Sequence, residues 1–248
     1  MTLFRKDSEM VYIYDNSYEG FLTALFDGYN DPDALIYASH YPGPPMLESR
    51  FVGTDPSKST RLQRGIETKL GKLILRDVYL LYLADTPDHG KVTLEYIRFC
   101  FQIGKGARNL RYEPVVKSAL TLREKVTREW DRMLGLVRFD KTANGVYAAN
   151  ISPDHNILPL IANHFASRMP SHNFIIRDTS RETAILSHKG VWVITELSPD
   201  TVFNFTSDEF RTMWKDYWKT MSIAERLNPE LQRRCMPARY WKNLTEMQ

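Results

Sequence analysis

HNFIIRDTSRETAILSHKGVWVIT, residues 172–195, contains three short runs rich in β-branched and apolar residues: His172 to Arg177, Thr183 to Ser187 and Val191 to Thr195. The links between them are far too short for a helical crossover, so each run must reverse direction and pair antiparallel with the last. Upstream, LVRFD, the Asn144-Gly145 turn and VYAANI predict a β-hairpin. Ser152-Pro153-Asp154 then starts a helix through ILPLIANHFASRM, where Pro159 fits the first turns because its missing N–H is not needed there. From Pro114, apolar Val115, Ala119, Leu122, Val126, Trp130 and Met133 advance in steps of three and four, with charges elsewhere, which is the clearest helical signature in the chain. Downstream, Ser207 to Ile223 predicts another helix carrying Phe210, Trp214, Tyr217 and Trp218.

The other half is dominated by helical periodicity. MVYIY at Met10 to Tyr14 predicts a strand, and Asp15 to Ser17 offer caps for a helix in which Phe21, Leu22, Leu25 and Phe26 form a core face. YPGPP at Tyr41 to Pro45 excludes helix, and Leu47 to Val52 predicts a second strand. Three helices follow from Pro56, separated by Gly71 and the turn Thr86 to Gly90. The expected class is α+β: a mostly helical N-terminal half with short strands, and a C-terminal half built on an antiparallel sheet packed by helices. Residues 1–108 and 109–248 are the expected regions, separated near the basic link Gly104 to Glu113 or joined in one continuous domain.

At 248 residues and 43% hydrophobic, the chain is long and apolar enough for a substantial core. Its net charge of +3 is mild, so attraction to an anionic partner must come from a patch. Two stretches qualify. Lys105 to Arg138 holds nine basic residues against four acidic, and Arg211 to Lys242 holds eight against three. Cys100 and Cys235 have no metal-ligand spacing, and Cys100 lies in an apolar run expected to bury it as an inert thiol. The six histidines form no i, i+4 pair, so no metal or other cofactor is expected. Without an apolar stretch long enough for a bilayer or a signal-peptide pattern at Met1 to Tyr14, the expected compartment is cytoplasmic, with no membrane partner.

No nucleophile elbow or phosphate-cradling loop occurs; G-K-G at Gly104 to Gly106 lacks the rest of the Walker pattern. The weak catalytic candidates are His155, at a predicted helix start, and Asp178 with Arg181, in a predicted hairpin turn. Their ordinary alternatives are a capping histidine and a turn-stabilising ion pair. Arg138 and Arg168 add guanidinium forks of the kind that match phosphate. The strongest local signal is the C-terminal stretch, where Arg226, Arg233, Arg234 and Arg239 interleave with Tyr240 and Trp241. Arginines tracking a phosphate backbone, with aromatic rings stacking on bases, would make a sequence-tolerant grip on single-stranded nucleic acid. The alternative is that Leu227, Leu231, Met236, Tyr240 and Trp241 dock the stretch on the core while the arginines stay at its surface.

EWDRMLGLVRF (129–139), YAANISPDHNILPLIANHFASRMP (147–170), IIRDTSR (175–181) and AERLNPELQRRCMPARYWKNLTEM (224–247), with YDNSYEGFLTALFDGY near the N-terminus, together resemble a bacterial family labelled "probable DNA metabolism protein", a domain of unknown function. The resemblance implies a DNA-repair setting beside a radical-SAM protein. Relatives carry the domain fused to a uracil-DNA-glycosylase-like domain, which has no counterpart in these 248 residues. The family supplies no catalytic residues to carry over. Its recurring polar positions match Arg138, His155, Arg168, Asp178, Arg181, Arg226, Asn228, Gln232, Arg233, Arg239, Tyr240 and Trp241. The expected function is an accessory protein that binds single-stranded or damaged DNA and acts with a radical-SAM partner and a uracil-DNA-glycosylase-like protein. Its alternatives are an enzyme acting on nucleic acid or nucleotides through His155, Asp178 and Arg181, and a protein adaptor without nucleic-acid contact.

Overall fold

A computed structural model describes residues 10–41, 43–44, 46–197, 213–217, 220 and 228–247. Contacts divide the chain into two compact units, Met1–Thr127 and Arg128–Gln248. The α+β class holds: a largely helical N-terminal half precedes a C-terminal sheet with helices.

In the first unit, β1 (Val11–Tyr14) is the centre of a three-stranded sheet, flanked by β2 (Leu35–Ala38) and β3 (Ser49–Val52). Both pairings are parallel, with Val11 opposite Leu35 on one side and Ser49 on the other. Helix α1 (Tyr18–Gly28) makes the return from β1 to β2, and Ser17 caps it by accepting from Gly20 N at 2.9 Å. Gly20 is needed there, since a Cβ would stand 2.1 Å from a carboxylate oxygen of Asp15. Phe21, Leu22 and Leu25 are buried, as the helical spacing predicts, while Phe26 is half-buried.

Helices α2 (Pro56–Lys69), α3 (Lys72–Tyr82) and α4 (His89–Ile103) break where expected. Helix α4 begins tight against β2, where a Cβ on Gly90 would lie 2.2 Å from the Ile36 carbonyl oxygen. Cys100 is fully buried and its thiol is pushed up to about 11 by that burial, so it is inert at neutral pH. The basic link is a short 3-10 helix, Lys105–Asn109, and Arg108 turns inward to buried Asp77 at 2.6 Å. Helix α5 (Pro114–Leu136) follows, with Val116, Ala119, Leu122, Val126 and Met133 buried.

The second unit holds a five-stranded sheet in the order β4 (Asp140–Lys141), β5 (Tyr147–Ile151), β6 (Phe174–Asp178), β7 (Thr183–His188) and β8 (Val191–Glu196). The predicted hairpin survives as a two-residue pairing, Asp140 with Ala148 and Lys141 with Tyr147. The runs β6, β7 and β8 pair antiparallel as their short links require. Lys189 and Gly190 both take positive φ, 49° and 79°, in the turn that matches the twist of a two-residue hairpin. The join between β5 and β6 differs: it is parallel, with α6 (Leu158–Arg168) as the crossover. Phe174, Ile176 and Asp178 alternate onto the buried face, and Trp192 donates to Asn163 of α6 at 2.9 Å. Most of the predicted Ser207 to Ile223 helix lies outside the described residues; 213–217 within it are helical.

Candidate nucleic-acid interface

The site is built on a buried carboxylate. Glu129 of α5 is 2% exposed, on the same face as Val126 and Met133. One of its oxygens accepts from Asp154 N and the other from His155 N, each at 2.8 Å. The phenol of Tyr240 donates to the oxygen that Asp154 N also reaches. Three neutral donors therefore satisfy a charge that would otherwise cost several kcal/mol to bury, about what an unpaired ion pays after relaxation. Burial first, and then the Glu129 bond, raises the Tyr240 phenol above its ordinary range, so it remains a donor.

The loop over Glu129 is held from its other side. Arg181 donates to the carbonyl oxygens of Pro153 at 3.2 Å and Asp154 at 2.8 Å, and to Asp178 Oδ2 at 2.8 Å. Asp178 is fully buried, and burial raises its carboxyl above the ordinary range although Arg181 pulls the other way. His155, Asp178 and Arg181 thus share one network. Asp178 and Arg181 spend their charges on each other and on the loop, and His155 is 6% exposed. The arrangement is a clamp on residues 153–155.

The C-terminal segment docks through two anchors. Tyr240 is 1% exposed, which corrects its expected role as a ring for stacking on bases: its ring is inside, because its hydroxyl seeks Glu129. Glu246 is the second anchor, taking a fork from Arg138 at 2.6 Å and 3.1 Å and the indole N–H of Trp214 at 2.9 Å. Burial works against the Glu246 charge, but those donors outweigh it and hold its carboxyl below the usual range. Arg138 is consequently turned inward and stacked over Trp214, with its centre 5.4 Å from that ring. Trp241 is half-buried and donates to the Met236 carbonyl at 2.8 Å.

Among the described residues the remaining candidate arginines lie at the surface. Asn228 caps the helix Pro229–Cys235 by accepting from Leu231 N at 2.9 Å, and Arg233 and Arg234 are exposed on its last turn. Arg239 is half-exposed, stacks over the Tyr240 ring at 4.6 Å and pairs with Asp154 at 2.8 Å. Leu231, offered as an apolar dock, is 52% exposed, whereas Leu244 is fully buried. Arg168 is exposed at the end of α6, and Arg226 and Leu227 lie outside the described residues. Cys235 is exposed.

Sequence reasoning missed Glu129, Asp154 and Glu246. Glu129 had a signal: it stands three residues after Val126 and four before Met133, an acid on the apolar stripe where charges were expected elsewhere. Asp154 was visible only as part of an expected helix start beside His155, not as the partner of Arg239, and Glu246 had no signal. Among the described residues no group of three His, Cys, Asp or Glu side chains could hold a metal ion, and no helix is long and apolar enough to cross a membrane.

Residues 87–246, which include all of this network, match the model of the domain of unknown function DUF4130. The chain belongs to that family. No curated protein and no solved structure gives a match. Tyr240, Arg239, Asp154, His155, Asp178, Arg181, Arg138 and Glu246 all fall inside the DUF4130 region, and β1 to β3 precede it.

Proposed function

We propose that this DUF4130 protein is an accessory factor of DNA metabolism that binds single-stranded or damaged DNA through its C-terminal arginines and acts beside a radical-SAM enzyme. The observation that carries the DNA part is the division of labour along residues 228–247. Tyr240 and Glu246 fix the segment with buried hydrogen bonds, so Arg233 and Arg234 are not needed to hold it and stand at the surface with half-exposed Arg239. A docked segment presents its guanidinium groups with less ordering cost than a frayed one. Half-buried Trp241 is the remaining aromatic surface for a base. The resemblance to DNA-metabolism proteins supports the radical-SAM partner and a uracil-DNA-glycosylase-like one.

Fluorescence anisotropy with a labelled single strand, titrated at several salt concentrations, tests this. Arg233→Ala with Arg234→Ala should lower affinity and flatten the salt slope by roughly 0.7 per lost phosphate contact. Both side chains are exposed, so stability should stay within about 0.5 kcal/mol. A folded double variant with unchanged affinity and slope sinks the proposal.

A further inference from the structure

Asp154 and Arg239 form an ion pair that stability does not require. Their side chains are 51% and 47% exposed, so the pair is worth little in water. Yet everything around it is fixed. The backbone N–H of Asp154 is held by Glu129 and its carbonyl by Arg181, so rotation of the side chain alone can move the carboxylate without moving the loop. Arg239 is held independently: the same terminal nitrogen that meets Asp154 donates to the Tyr240 hydroxyl at 2.8 Å, and the guanidinium lies over the Tyr240 ring. Among the described residues its Nε and other terminal nitrogen have no hydrogen-bond partner, which leaves donors for a second, forked acceptor.

We propose that Arg239 is a preformed phosphate subsite and that the Asp154 carboxylate is its built-in stand-in, displaced when a phosphate arrives. This rests on the nucleic-acid function proposed above and adds the identity of one contact and the group that restrains it. Asp154 competes with phosphate for Arg239 and lowers its affinity for isolated anions, so that a ligand with further contacts, such as an oligonucleotide reaching Arg233 and Arg234, displaces it most readily.

Two measurements test this. In anisotropy titrations Asp154→Asn should tighten binding about two- to fivefold, the equivalent of an exposed ion pair of about 0.5 to 1 kcal/mol. The gain should vanish when Arg239 is also alanine. Glu230→Gln, which removes an exposed charge from the neighbouring helix, serves as the control for net charge. A gain that persists without Arg239, or that Glu230→Gln equals, overturns the stand-in. The second measurement needs no DNA: phenylglyoxal modification of Arg239, read by peptide mass, with inorganic phosphate as protectant. Half-protection should move to lower phosphate by the same factor in Asp154→Asn. Phosphate protection without oligonucleotide binding would refute the nucleic-acid function and keep the subsite. Oligonucleotide binding with no phosphate protection in either protein would refute the subsite alone.

Discussion

Asp77 in the first unit and Glu129 in the second are both helical carboxylates at 2% exposure, and they are stabilised in opposite ways. Asp77 is met by a cation: Arg108 donates to it at 2.6 Å, with Arg123 Nε 3.6 Å away, and the Tyr96 hydroxyl adds a longer bond at 3.3 Å. Glu129 is met by two backbone N–H groups and a phenol. An ion pair ties side chains and leaves their backbones free, whereas backbone donors fix the chain itself. Glu129 therefore organises a loop and a terminal segment, while Asp77 locks the packing of α3 against the 3-10 helix and α4.

Removing charge from each carboxylate should break this contrast, and Asp77→Asn should be the larger effect. It strands Arg108, whose side chain is 22% exposed, and should cost about 3 kcal/mol, the low end for breaking a buried pair. Hydrogen exchange of the α3 and α4 amides should accelerate accordingly. An unchanged rate would mean that Arg108 finds solvent at no cost.

Glu129→Gln keeps the shape and one acceptor oxygen but turns an amide N–H toward a donor, for a loss of about 2 kcal/mol. Its signature should be spatial: early proteolysis within residues 228–247 and faster exchange at Asp154 and His155 N–H. Loss spread evenly over the second unit would show that Glu129 supports packing in general, with no special hold on the loop and segment.

Glu246 is the intermediate case, held by a cation and an indole N–H together, and its effect should depend on pH. Its carboxyl titrates lower when folded, so it contributes stability above the ordinary glutamate value of about 4.3 and loses it as pH falls through the depressed folded value. Glu246→Gln should lower the urea midpoint at neutral pH, and the gap from the parent should close in acid over that window. A gap that is constant with pH would assign the stabilisation to shape.

The strands β6 to β8 were readable because a link of a few residues permits only an antiparallel return. The parallel pairings were not. Val11 to Tyr14 and Ser49 to Val52 meet along a register that no neighbouring residue announces, and β5 joins β6 through a helix whose sequence says nothing about the strand beyond it. The arginines of the C-terminal segment were equally visible as a composition, but composition is blind to direction. Arg138 and Arg239 look alike in sequence; one forks onto Glu246 and the other stands beside Asp154 at the surface.

The breaks between α2, α3 and α4, the antiparallel returns and the basic aromatic character of residues 222–248 were determined by sequence alone, because each depends on residues within a few positions of one another; the expected helix start at Ser152 to Asp154 was not, since Glu129 and Arg181 hold that stretch as a loop and α6 begins at Leu158. Tertiary structure decided which side of the C-terminal segment faces inward. Tyr240 turns its ring into the protein because its hydroxyl finds a carboxylate 111 residues away, and Arg239, stacked over that ring, is left at the surface.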